Sequence, residues 1–175
     1  MAGHNKWSQI KRQKGKTDAQ KSKMYSKYAR LINVESKRVN GNISSPSLAA
    51  VIEKAKKENV PKDVIERAIK KGTEAGGSLE SITYEAYGPG GCAIVIEVLT
   101  DNRNKAAQEI KHLLSNFDIS LAGIGSATWA FNKNGNEWVP TSTVAIEESD
   151  IAILEKVVEA LEDNDEVQEV FTNAE

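Results

Sequence analysis

Nine cationic side chains and one indole crowd the start of this chain. Lys6, Lys11, Arg12, Lys14, Lys16, Lys21, Lys23, Lys27 and Arg30 lie within the first thirty residues, where Asp18 is the only acid and Trp7 the only tryptophan. Like charges at this density repel one another, and mixed signs would serve solubility equally well. The chemistry such a set performs is neutralisation of phosphates, which releases condensed counterions and gives affinity for nucleic acid. An indole among the cations adds a stacking surface worth about 1–3 kcal/mol per base. Two plainer readings stand beside this one: a solvated tail, and Trp7 folded back as an anchor on neighbouring helices. The excess continues, however, through Lys54, Lys56, Lys57, Lys62, Arg67, Lys70 and Lys71.

Catalytic and metal chemistry find little support. The histidines are His4 and His112, and the single cysteine is Cys92, so no zinc set of N and S ligands assembles. Cys92 lies in the apolar run CAIVIEVLT and reads as a buried strand thiol, while His112 falls off the apolar stripe of its helix. There is no Gly-x-Ser-x-Gly elbow. Gly88-Pro89-Gly90-Gly91 feeds a strand with no following lysine, so it is not a Walker loop; it reads as a tight turn needing positive φ, or as a loop that approaches RNA closely. Asp163-Asn164-Asp165-Glu166 lacks the glycine and the later glutamate of a calcium loop and reads as a solvated turn. Trp129 and Phe131, two apart in SATWAF, would face one side of a strand, as core residues or as a base-stacking pair. The expectation is a protein without enzyme activity, metal or cofactor.

Charge divides the chain. Residues 1–71 hold 18 Lys and Arg against 6 Asp and Glu, and residues 72–175 hold 5 against 19, leaving a net charge of −2. A basic half suits a polyanion and an acidic half something else. No apolar run is long enough to span a membrane, and the basic start lacks the apolar segment of a secretory signal. It has only a weak likeness to a transit peptide. One cysteine fits a reducing compartment, so a cytoplasmic location is expected.

The elements that must position these residues follow from periodicity. A helix is predicted from near Thr17, with Gln20 at capping-box spacing and an apolar face of Met24, Tyr25, Tyr28, Leu31 and Ile32, ended by Asn40-Gly41-Asn42. A second starts at Ser45-Pro46 with the stripe Leu48, Val51, Ile52 and Ala55. A third is capped by Asn59, carries Val64, Ile65, Ala68 and Ile69, and stops at Gly72. After TEAGGSLE the period turns to that of strands: SITYEAY, the GPGG turn, CAIVIEVLT, a helix capped at Asp101-Asn102, SATWAF, an Asn134-Gly135 hairpin, EWVPTSTVAI with Pro140 marking an edge, a helix on Leu154, Val157, Val158 and Leu161, and a last strand. The predicted class is α+β: an N-terminal three-helix bundle with a basic arm, then a ferredoxin-like βαββαβ domain with an extra N-terminal strand and both helices on one sheet face. The expected division is 1–72, a linker 73–80, and 81–175.

Four stretches, AGHNKWSQIK, VPKDVIERAIKKGT, YEAYGPGGCAIVIEVLTDNRNKAAQEI and VVEALEDNDEVQEVFTNAE, resemble the YebC/PmpR family. The likeness runs from Ala2 to Glu175 with one break. It implies a helical N-terminal domain followed by α/β domains, a cytoplasmic location and no catalysis. Members are described as DNA-binding transcriptional regulators and as ribosome-associated translation factors that ease difficult stretches such as consecutive prolines; a mitochondrial relative activates translation of cytochrome oxidase. Lys6, Trp7 and Lys11 match the opening motif, with Asn5 where serine is common. Gly88, Pro89, Gly90, Gly91, Asp101, Asn102 and Arg103 match the central block. Typical members insert a further α/β domain where this chain has only Asn132–Asn136.

The expected partner is therefore nucleic acid, either DNA or ribosomal RNA, with the ribosome as a further candidate; the oligomeric state is left open, with a slight lean to a monomer. A flexible lysine-rich arm and the lack of a base-reading helix lean toward RNA. The alternative is a protein-interaction module in which the acidic domain binds a protein partner.

Overall fold

The computed structural model describes residues 18–76 and 79–175. The chain divides into two compact units, one of residues 16–81 with 99–101, the other built mainly of 82–98 and 102–175. The fold is α+β, with helices α1 to α5 and strands β1 to β5 among the described residues.

The first unit is a three-helix bundle of α1 (Asp18–Arg38), α2 (Pro46–Lys57) and α3 (Lys62–Thr73). Its core is Ile32, Leu48, Val51, Ala55, Val60, Ile65 and Ala68, edged by half-buried Tyr25, Tyr28 and Leu31. These are the faces that periodicity marked. Asn40 (φ 51°) and Gly41 (φ 73°) turn the chain out of α1, and the Gly41 N–H closes on the carbonyl of Ser36 at 2.8 Å. Two local readings change. Asn59, at φ 60°, closes α2 rather than capping α3, whose N-cap is Pro61. Gly72 does not stop α3, which runs on to Thr73. A Cβ at Gly72 would stand 2.5 Å from the carbonyl oxygen of Asn33 and 2.7 Å from Cβ of Ser36, so this glycine lets α1 and α3 touch backbone to backbone. Ser36 Oγ donates to the Ile69 carbonyl at 2.7 Å across the same contact.

In the second unit β1 (Glu80–Tyr87), β2 (Ala93–Thr100) and β5 (Val167–Thr172) form one sheet in the order β1-β2-β5. β2 and β5 are antiparallel, with Ile96 opposite Val170. Ile94, Ile96 and Val98 pack under α4 (Arg103–Ser115) and α5 (Glu148–Glu162) through Ala106, Ile110, Leu114, Leu154, Val157 and Leu161. Both helices thus share one sheet face, and the order of elements is the ferredoxin-like one with its extra strand. The hairpin of β3 (Phe131–Asn134) and β4 (Glu137–Pro140) forms a separate two-stranded sheet instead of joining the first. The reason is edge occupancy. β1, tied to β2 by the short GPGG connection, takes one edge of β2, and β5 takes the other. The hairpin packs on the open face instead, with Phe131 and Trp138 on Ala93, Val95 and Phe171. The run EWVPTSTVAI splits accordingly: beyond Pro140, Val144 makes a lone parallel bridge to Ala174.

SATWAF is only partly a strand. Thr128–Ala130 is one 3-10 turn before β3. Trp129 and Phe131 therefore do not share a face: Phe131 is 5% exposed in the core and Trp129 is 64% exposed. Cys92 is buried, and burial pushes its thiol up, out of the reactive range.

Candidate nucleic-acid interface

Lys6, Trp7, Lys11, Arg12, Lys14 and Lys16 lie outside the described residues. Lys21, Lys23, Lys27 and Arg30 lie on α1. Lys23, Lys27 and Arg30 follow i, i+4, i+7 spacing, and Lys37 continues the row a further two turns on. At 100° per residue this row lies opposite the face that buries Ile32 and Ser36. The helix can bury one side in the bundle because its cations lie on the other. Lys21, eleven residues before Ile32, lies in line with the buried side in the exposed first turns of the helix, 3.9 Å from Asp18. Arg30 is partly committed, since its Nη1 donates to the carbonyl of Leu99 at 3.2 Å within the same unit.

α2 and α3 extend the basic surface. Lys57, Lys62 and Arg67 pair with Glu53, Glu66 and Asp63 at 3.5, 3.6 and 3.1 Å, all at i,i+4 spacing and exposed. Lys54, Lys56, Lys70 and Lys71 are exposed, with no carboxylate within 4.0 Å among the described residues. They occupy the last turns of their helices, where a cation also favours the helix dipole. Neither α2 nor α3 carries an Asn or Gln, so neither has the side chains that read adenine in the major groove.

The glycine turn of the second unit is explained by packing. Gly90 (φ 67°) and Gly91 (φ 77°) adopt the left-handed conformation the reading required. A Cβ on Gly90 would lie 2.6 Å from Cγ2 of Ile146, and one on Gly88 2.7 Å from Cδ1 of Ile94. Pro89 begins the 3-10 turn between them. Asp101 is exposed, Asn102 caps α4 by accepting from the Lys105 N–H at 3.0 Å, and Arg103 opens that helix.

Sequence reasoning missed a carboxylate. Glu85, on β1, is 4% exposed. Its oxygens accept the N–H groups of Gly125 (2.7 Å), Ala127 (3.0 Å) and Thr128 (2.7 Å). Burial alone would raise its pKa, but these donors outweigh it and hold the group below the ordinary carboxylate range. Glu97 acts similarly on the same sheet face, accepting from Thr83 Oγ1 and Trp138 Nε1, each at 2.7 Å. The two carboxylates fasten the 122–128 loop and the hairpin to the sheet. The one available signal was an acid in an alternating strand at an inward position, which periodicity alone does not distinguish from a solvent-facing one.

A basic three-helix unit and an acidic α/β unit with the GPGG turn define a class of two-part α+β protein. The profile of the TACO1/YebC protein N-terminal domain matches residues 5–75, and that of the TACO1/YebC second and third domain matches 79–136 and 133–174. The chain belongs to this TACO1/YebC family. Proteins from Petrotoga mobilis and Thermotoga petrophila, each named a probable transcriptional regulatory protein, are 43% and 41% identical over 98% and 100% of this chain and 70% and 71% of their own lengths. A Fervidobacterium nodosum protein of the same name is 38% identical over 235 aligned positions, 99% of this chain and 93% of its own. The crystal structure of a conserved hypothetical protein from Aquifex aeolicus matches with a TM-score of 0.87 at 30% identity, covering 98% of this chain and 97% of that one. The second profile breaks at 133–136, the tip of the β3–β4 hairpin, where the longer relative must carry residues this chain lacks.

Proposed function

We propose that this protein is a non-catalytic regulator of gene expression that acts in the cytoplasm by binding nucleic acid through residues 1–72. The carrying observation is the placement of charge. An 18-to-6 excess of basic over acidic residues falls in the first 71 positions, and on α1 Lys23, Lys27, Arg30 and Lys37 form a row opposite the side that buries Ile32 and Ser36. The relatives' name points to transcription and hence to DNA. The side chains favour contact with phosphates over the reading of bases, which suits structured RNA, and with it the ribosome, at least as well. On this reading Lys6, Lys11, Arg12, Lys14, Lys16, Lys21, Lys23 and Lys27 contact phosphates and Trp7 stacks on a base, while Gly88–Gly91 and Asp101–Arg103 shape the second unit. No helix among the described residues is long and apolar enough to cross a membrane.

The test is salt dependence. Replacing Lys11, Arg12, Lys14 and Lys16 together by Ala is expected to lower the slope of log K against log[salt] by about 3 units. An unchanged slope would remove the arm from the interface. Gradient sedimentation of lysate separates the targets: travel with ribosomes at low salt supports RNA, and free protein that retards promoter duplexes supports DNA.

A further inference from the structure

The second unit carries an exposed apolar surface outside the residues proposed above for nucleic acid. Between Asp118 and Lys133 there is no charged residue, in a chain that is 27% Asp, Glu, Lys and Arg. Within that stretch Ile124 is 101% exposed and Trp129 64% exposed, with the exposed Tyr87 beside them. Trp129 and Tyr87 are joined directly, and Ile124 lies on the same loop as Ser126. Trp129 Nε1 donates to Tyr87 Oη at 3.0 Å, and the Tyr87 hydroxyl donates to the Ser126 carbonyl. The loop bearing Ile124 is held from beneath by Glu85 through Gly125, Ala127 and Thr128, and by the Ala122 N–H on the Glu85 carbonyl at 2.8 Å.

A fully exposed isoleucine loses water contact nowhere in the free protein, yet a buried carboxylate fixes the loop that displays it. Exposed aromatic and aliphatic side chains on a rigid, charge-depleted support are the composition of an interface core. We propose that the loop of residues 119–132, with Tyr87, docks a basic protein segment that inserts an apolar side chain against Ile124 and Trp129. Charge selects this occupant. Residues 72–175 hold 5 basic against 19 acidic residues, a field that repels phosphates and attracts a cationic protein surface. The loop itself offers no Lys or Arg to a nucleic-acid backbone.

The probes are short lysine-rich peptides with a central tryptophan or leucine, the same peptides with serine at that position, and single-stranded oligoribonucleotides. Binding to the full chain is followed by the indole N–H signal of Trp129, assigned with Trp129→Phe. Anchored peptides are expected to shift this signal and to bind about tenfold or more tightly than the serine versions. Ile124→Ser is expected to abolish that difference. Because Ile124 touches nothing in the fold, this variant keeps its melting temperature, and because it lies outside residues 1–72 it keeps nucleic-acid binding. Equal binding of anchored and serine peptides would overturn the proposal. So would oligoribonucleotides that shift Trp129 in place of the peptides, or self-association lost in Ile124→Ser, which would make the occupant RNA or a second copy.

Discussion

Lys54, Lys56, Lys70 and Lys71 offer the sharpest test of the basic helical unit, because they are exposed and have no carboxylate within 4.0 Å among the described residues. Replacing all four by Ala removes four charges without breaking an ion pair among the described residues. If each neutralises one phosphate, the slope of log K against log[salt] becomes shallower by about 3.6 on duplex DNA, or about 2.8 on a single strand. Between about 0.05 and 0.2 M salt that difference amounts to about a hundredfold in relative affinity. Fluorescence anisotropy with a labelled duplex and a labelled RNA hairpin at several salt concentrations reads it directly. Each lysine also loses a helix-dipole contribution of about 0.3–1 kcal/mol, so a urea titration must accompany the binding curves. A variant that is folded and has the wild-type slope on both ligands would show that the helices carry solvated charge only, leaving the interface to the arm.

Four further outcomes follow from named contacts. Neutralising Glu53, Asp63 and Glu66 frees Lys57, Arg67 and Lys62 and should strengthen nucleic-acid binding and steepen its salt slope, as anisotropy would show. Gly72→Ala drives a methyl into the Asn33 carbonyl and should cost about 1–3 kcal/mol in urea unfolding, with full stability contradicting the close α1–α3 approach. Glu85→Gln should cost about 2–3 kcal/mol, because one amide oxygen replaces an ionised carboxylate that accepts three N–H groups. Since Glu85 titrates lower folded than unfolded, its contribution is present above the ordinary carboxylate range and is lost as pH falls through the depressed folded value. The Gln variant should lose that acid-limb dependence, and an identical acid profile would refute the assignment. Gly90→Ala combines strain at φ 67° with a clash on Ile146 and should lower the melting temperature, whereas Gly91→Ala meets only the strain.

What the sequence disclosed was periodic and local. The bundle core, the α4 and α5 stripes, the Asn102 cap and the left-handed Gly90 and Gly91 all follow from spacing or from the conformational freedom of one residue type. What stayed hidden was pairwise and distant. The continuous apolar run of β2 tells that both its faces are buried but not which strand takes its edge, so the sequence leaves β1 a strand without a place. The exposure of Trp129 follows from a single 3-10 turn that shifts its register against Phe131. Glu85 and Gly72 depend on partners about forty residues away, Gly125 to Thr128 and Asn33 to Ser36. The candidate arm rests on composition alone.

The hairpin shows why this chain can lack what its longer relatives carry. Its pairing runs from Phe131 opposite Pro140 to Asn134 opposite Glu137, and Gly135 closes the tip at φ 63°. What holds it to the sheet is Phe131 at its base and Trp138 one pair in from the tip, on Ala93 and Val95, with Trp138 Nε1 on Glu97. Near the tip, Lys133 only lies over the Trp138 ring at 5.1 Å. A segment inserted at the tip enters between residues that bear little of the packing, and loop entropy rises slowly with length. The β1-β2-β5 sheet and its two helices therefore close without the residues the longer relatives add there. Whatever the longer relatives do with those residues is added to a unit already complete in its core, so the two proposed roles, phosphate binding by residues 1–72 and docking at Ile124 and Trp129, should not depend on them.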